Sequence, residues 1–162
     1  MTGRVTGLWR YPIKAHGRES LTHASLTAGQ CLPWDRAWAL ARDGSDADGR
    51  EWVPCANFLQ ASRLPALQAI TCAFDDVTHQ ITLHHPDLPD LTFNPDTNAQ
   101  ALLSWVAPLI PKESGRQPGR LVRAAARGMT DTDFPSVTLC NLSSHRAVQD
   151  RVGRALSIHR WR

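Results

Sequence analysis

Two positive side chains stand where binding chemistry would place them. Lys14 ends the string Tyr-Pro-Ile-Lys behind the apolar, aromatic run of residues 5–11. Arg36 lies in Trp34-Asp35-Arg36-Ala37-Trp38, at the mouth of a second apolar run. Proline and aromatic neighbours stiffen both loops, and stiff loops at strand ends are where ligand contacts collect. An arginine offers a planar fork of donors to a phosphate, and a lysine adds a point charge. Two such groups on one anion would each make a charge-assisted bond worth roughly 1.5–3 kcal/mol. The same letters also allow Arg36 to pair with Asp35 while Lys14 stands in solvent.

Other chemistries lack their residues. Residues 43–55 hint at a calcium loop, but Gly44 stands where an acid is needed and Cys55 where a glutamate is needed. His84 and His85 are adjacent, so on a strand they point to opposite faces and do not share one metal. No H-E-x-x-H, paired-cysteine, Walker, G-x-G-x-x-G or G-x-S-x-G pattern occurs, and neither catalytic nor metal-ligating residues are assigned. Nucleic acid is not the expected partner, since no helix-turn-helix, zinc-finger or RNP signature is present. The basic stretch 116–127 is the only feature that speaks for it.

The elements that must position Lys14 and Arg36 are short. With 162 residues, 42% of them hydrophobic and 20% charged, the chain can bury a core, and a net charge of +3 suits a small anionic ligand. Eleven prolines cut it into pieces that favour strands over long helices. The reading is mainly β with a few α-helices, an α+β chain. Strands are expected over 5–11, 21–27, 37–42, 67–74, 80–85, 91–93, 119–125, 135–141 and 157–162. Residues 43–50 are read as the solvated tip of a hairpin returning through 51–53. One helix starts at Asn94-Pro95-Asp96-Thr97 and carries Ala99, Leu102, Leu103 and Val106 on one face. A second is capped by Ser143 or Ser144, with Leu142 stapled onto Ala147. The polar stretch 112–119 divides residues 1–118 from 119–162. The last strand has no partner, which predicts a truncated second domain and pairing with a second copy of the chain. No apolar run reaches the ~20 residues of a membrane span, no leader pattern opens the chain, and the scattered Cys31, Cys55, Cys72 and Cys140 fit a reduced cytoplasm.

Residues 5–14, then Asp35-Arg36-Ala37-Trp38, then residues 63–70 resemble the opening of MOSC proteins, whose pattern runs as strand, Y-P-[IV]-K-S, D-R-x-[WF] and P-x-L-x-x-I. Residues 133–139, 141–144 and 160–162 resemble the start of the MOSC domain proper. The resemblance implies a β-barrel-like N-terminal domain followed by the beginning of a second barrel. It also implies binding of the molybdenum cofactor (molybdopterin), a phosphate-bearing pterin dithiolene. Relatives of this kind include amidoxime-reducing components and the C-terminal part of molybdenum cofactor sulfurase. By the same resemblance Lys14 and Arg36 contact the cofactor, Asp133 and Phe134 lie in a loop that approaches it, and Arg162 belongs to an R-x-N segment. Ala15 replaces the usual serine, leaving only a backbone contact there. The family's metal-ligating cysteine would lie beyond Arg162, so oxo-transfer chemistry and any redox or sulfur-transfer partner belong to a longer parent, an oxidoreductase acting on N-hydroxylated compounds or a sulfur carrier. A non-catalytic interaction module without cofactor is the alternative.

Overall fold

The computed structural model describes residues 3–161. It holds eight short strands and two α-helices. β1 (Leu8–Arg10) pairs antiparallel with β3 (Glu19–Leu21). β2 (Ile13–Lys14) runs parallel to β4 (Trp38–Arg42), whose other edge takes β8 (Pro118–Arg123) antiparallel. β5 (Thr71–Asp75), β6 (Gln80–His85) and β7 (Leu88–Phe93) form an antiparallel meander.

These three sheets are stitched into one curved wall. β1 continues into β2 across Tyr11-Pro12, and a parallel bridge between Arg18 and Thr71 joins the end of the β1–β3 pair to β5. Arg10 grips Glu19 with two bonds of 2.8 and 2.6 Å, and the other Glu19 oxygen accepts the Phe74 N–H at 2.9 Å. The strand series therefore runs from β8 through β4, β2, β1, β3, β5 and β6 to β7. α1 (Ala99–Val106) packs on both β7 and β8, the two ends of that series. It covers strand edges that would otherwise stay open. Leu102 and Val106 are fully buried, and Trp105 Nε1 donates to Pro89 O at 2.6 Å.

β4 reads Trp-Ala-Leu-Ala-Arg, and its alternation builds two cores. Trp38 and Leu40 face a large cluster with Ile13, Leu67, Ile81, Leu83 and Leu102. Ala39 and Ala41 face a smaller one with Phe58, Val122 and Met129. Bulk on one face and alanine on the other let a backbone layer approach closely on the alanine side.

Several expectations are corrected by neighbour availability. Residues 5–7 are exposed and only Leu8–Arg10 finds a partner. The second strand is Glu19–Leu21 rather than 21–27, because its pairing with β1 ends at Leu21 opposite Leu8 and no described strand continues beside it. Residues 51–53 do not return as a hairpin arm, since β8 takes one edge of β4 while β2 and, further along, Phe58 and Leu59 take the other. The loop before them is not a solvated tip: Ser45, Ala47 and Gly49 are buried, and Arg120 donates to Ala47 O at 3.0 and 2.7 Å. Residues 67–70 lie mainly in a 3-10 turn, Pro65–Ala69, so the strand starts at Thr71. The strand expected over 119–125 is β8, Pro118–Arg123, and it pairs along β4.

The C-terminal part differs most. Residues 135–141 form no strand, and Val137 and Leu139 are exposed. α2 (Leu142–Val152) is capped by Asn141, whose Oδ1 accepts the Ser144 N–H at 2.9 Å. Leu142 is thus inside the helix, and the serine caps and the staple do not form. The last described segment is a 3-10 turn, Ile158–Trp161, instead of a strand.

Leu40 sits fully buried in the middle of β4. Leu40→Ala should cost about 2–5 kcal/mol, read as a lower urea midpoint with an unchanged m-value. A loss under ~1 kcal/mol would show that β4 is not the central strand of a packed core.

Candidate functional site

Lys14 closes β2, and its register partner is Ala39, so its side chain shares the face of β4 that carries the small core. Arg36 stands just ahead of β4, and its N–H donates to Tyr11 O at 2.6 Å. Asp35 fixes this junction: its Oδ1 accepts the Tyr11 N–H at 2.8 Å and its Oδ2 accepts Arg36 Nη1. The Arg36 guanidinium also lies over the Tyr11 ring, 5.5 Å from the centroid. The adjacent Asp-Arg pair therefore works as anchor and presented group. The acid ties the turn to the β1–β2 junction and holds the arginine.

Backbone at this turn is held away from ordinary dihedrals. Trp34, Arg36 and Ala15 have φ of 63°, 53° and 66°, in the left-handed region that L-residues rarely adopt. Such positions cost of order 1–3 kcal/mol each and persist where surrounding contacts over-determine them. Here the Trp38 N–H to Pro12 O bond of 3.1 Å and the Met129 N–H to Arg36 O bond of 2.9 Å supply part of that restraint. Gly128 permits the second contact: a Cβ there would stand 2.1 Å from Asp35 O.

Residue 129 joins the two cations. Its N–H binds Arg36 O, and its carbonyl accepts Lys14 Nζ at 2.9 Å. Lys14 is only 4% exposed, and its ammonium also binds Asp131, whose side chain is 58% exposed. The two readings of the sequence each hold in part: Arg36 does pair with Asp35, but Lys14 is buried rather than solvated. Burial pushes the Lys14 ammonium below its ordinary value of 10.5, the Asp131 carboxylate pulls it upward, and the nearby Arg36 charge adds to the lowering. The Arg36 charge is thus near enough to be felt at Lys14. Among the described residues, Nε and Nη2 of Arg36 meet no protein acceptor. The arrangement can therefore receive an anion at a point between a buried ammonium and an unspent guanidinium edge.

The other residues singled out by sequence are placed as follows. Ala15 is half-buried and directly follows Lys14. Asp133 and Phe134 are exposed in the stretch beyond Asp131, with Phe134 O accepting from Thr132 Oγ1 at 2.8 Å. Arg162 lies outside the described residues. Sequence reasoning missed Asp131, Met129 and Tyr11. Asp131 is one of two acids in a polar loop, and nothing in its spacing marks it as the one that reaches Lys14. Met129 acts through its backbone, which leaves no letter to read. A cavity of about 220 Å³ opens beside the same turn, lined by Cys31, Trp34, Asp35, Arg123 and Arg127 among others, but neither Lys14 nor Arg36 lines it.

The joined order of strand, Lys14, Asp35-Arg36 and closing strand β8 is matched by a family model described as MOSC N-terminal beta barrel domain, over residues 2–134. The chain belongs to this MOSC family. No curated protein and no solved structure matches it significantly. The MOSC family is linked to molybdenum cofactor binding. The matched span takes in β1–β8 and α1 and ends at Phe134, so α2 and the turn behind it lie past it.

The residues of this MOSC domain fit one end of that cofactor. Lys14 and Arg36 suit its phosphate. For the metal end, no group of three or more histidine, cysteine or acidic residues able to hold an ion occurs among the described residues. All four cysteines are thiols. Burial pushes the Cys72 thiol up to about 12, as expected of an inert, packed sulfur. Cys140 is exposed. No helix among the described residues is long and apolar enough to cross a membrane.

The Lys14 shift has a testable sign. A base whose folded-state value is depressed binds fewer protons folded than unfolded between the two values, so stability rises with pH across that window. Below it, the full cost of burying the charged ammonium is present. In Lys14→Met that cost is absent, and the exposed Asp131 carboxylate is not a buried charge left stranded. At neutral pH Lys14→Met should match or exceed the parent in melting temperature. Its advantage should shrink as pH climbs toward 10.5. An advantage that widens with pH would refute the burial argument.

Proposed function

We propose that this domain anchors the phosphate end of the molybdenum cofactor, with Lys14 and Arg36 as its cationic contacts. The Lys14 ammonium on Met129 O and Asp131, with Met129 N–H tied to the Arg36 backbone carbonyl and the Arg36 charge felt at Lys14, supports this reading. Lys14 supplies a full charge at a site shielded from competing water, where an ion pair is stronger than at an open surface. Arg36 supplies directed donors held by Asp35 and the Tyr11 face. Ala15, next to Lys14, offers only its backbone N–H. Asp133 and Phe134, exposed on the adjoining loop, and Arg162 are proposed to extend the contact surface toward the pterin. When bound, the cofactor would contribute a redox-active molybdenum. In a protein that also carries a metal-ligating thiolate, the reaction would be reduction of N-hydroxylated compounds or sulfur transfer with a partner protein. We place that protein in the cytoplasm, where its thiols stay reduced.

The alternative, an interaction module without cofactor, draws support from exposed apolar side chains in the C-terminal part, among them Phe134 at 58%, Leu139 at 91% and Val152 at 50%. Nucleic-acid binding gains none, because Arg120, Arg123 and Arg127 are engaged by Ala47 O, by Asp96, and by Thr130 and Thr132 respectively.

Calorimetric titration with a pterin phosphate monoester and its dephosphorylated counterpart tests the proposal. Lys14→Ala and Arg36→Ala should each weaken the phosphorylated ligand roughly 10- to 150-fold, the equivalent of one lost charge-assisted bond. The dephosphorylated pterin should be nearly indifferent to both changes. Equal binding of the two pterins to the parent chain would remove the phosphate anchor.

A further inference from the structure

Lys14, when charged, is a buried ion that needs a partner whether or not a ligand is present. A buried charge without a partner is strongly destabilising. In this chain the partner is a carboxylate carried on an exposed loop: Asp131 is bound by Lys14 Nζ although 58% of its side chain meets solvent. The other acid at the junction, Asp35, is committed to Tyr11 N–H and Arg36 and is only 6% exposed.

The backbone around Asp131 is pinned on both sides. Met129 is held through Arg36 and Lys14, Thr130 O accepts Trp52 Nε1 at 2.9 Å, and Thr132 O accepts Thr130 Oγ1 at 3.0 Å and Arg127 at 3.4 Å. The loop backbone can thus stay where it is while the exposed Asp131 side chain exchanges its Lys14 contact. From this geometry we infer that Asp131 is an internal stand-in for the ligand's anion, occupying the Lys14 position until a phosphate displaces it. The inference rests on the phosphate-anchor reading above.

The arrangement sets specificity. A monoanionic carboxylate gains little by replacing another carboxylate that is tethered at high effective concentration. A phosphate monoester brings about two charges and three acceptor oxygens, so it can engage Lys14 and the open edge of Arg36 together. Asp131 therefore filters against weak anions and keeps Lys14 charged and paired between ligands. Its cost is a lower apparent affinity, because only the fraction of molecules with Asp131 turned away is competent to bind.

The test is titration of inorganic phosphate, with acetate as the monoanion, into the whole chain and three variants. Asp131→Asn should bind phosphate at least ~10-fold more tightly than the parent, since the competing state is removed. Asp76→Asn removes the same charge from an exposed turn remote in sequence and should leave affinity unchanged. Acetate should bind the parent negligibly and Asp131→Asn measurably. A second measurement needs no variant: the Asp131 carboxyl carbon-13 shift in the parent should move on saturation with phosphate. Equal or weaker phosphate binding by Asp131→Asn, or an unmoved Asp131 shift at saturation, overturns the stand-in role. If the parent still binds phosphate and Lys14→Ala does not, the anchor reading survives that result. Absence of phosphate binding in both the parent and Asp131→Asn defeats the anchor reading, and the stand-in with it.

Discussion

The structure turns on one ammonium group taken out of water. Lys14 lies at the rim of the small core, where Ala39, Phe58 and Met129 exclude solvent. An ion in such a place is costly unless its donors are met, and the neighbouring elements are arranged around meeting them. The loop that follows β8 comes back to place the Met129 carbonyl and the Asp131 carboxylate on Lys14. Gly128 lets that loop touch the Asp35 backbone, and the Met129 N–H locks it to Arg36. The small residues of β4 matter for the same reason, since a larger side chain at Ala39 or Ala41 would hold the layer above them away.

That constraint links fold to site. β2 must run parallel to β4 for Lys14 and Arg36 to share a junction, and a parallel pair needs a long connection. The connection here is residues 15–37, which also supply β3 and the Asp35 anchor. The barrel-like wall, with α1 spanning its two ends, fixes β4 and β8 and thereby the departure point of the 124–134 loop. Site geometry is thus set by the three strands β2, β4 and β8 and by one loop pinned at both sides. The positive-φ positions fall at those junctions, where tertiary contacts hold backbone that would not choose such angles alone.

Much of the site was legible because charge and rigidity are local properties. Lys14 and Arg36 stand out through their stiff neighbours, Lys14 at the end of β2 and Arg36 just ahead of β4. The amphipathic helix over 99–106 and the strand pair flanking 75–79 were legible too, since periodicity and turn residues act over a few positions. Strands over 21–27, 51–53 and 135–141 were misread for one common reason. A strand needs an unoccupied neighbour, and alternation in the letters does not report whether one exists. β4 had no edge left for 51–53, and 135–141 has no described strand beside it.

By itself, the sequence determined that the chain is β-rich, that two cations sit on stiffened turns, and that no familiar nucleotide or zinc motif is present. These follow from composition and short-range spacing. Only the tertiary structure decided that Lys14 is buried, that Asp131 rather than Asp133 meets it, and that the backbone of residue 129 binds Lys14 through its carbonyl and the Arg36 carbonyl through its N–H. Burial and pairing across 115 and 117 positions depend on which segments fold against each other, and the energy of that choice is spread over the whole core rather than written in any one stretch.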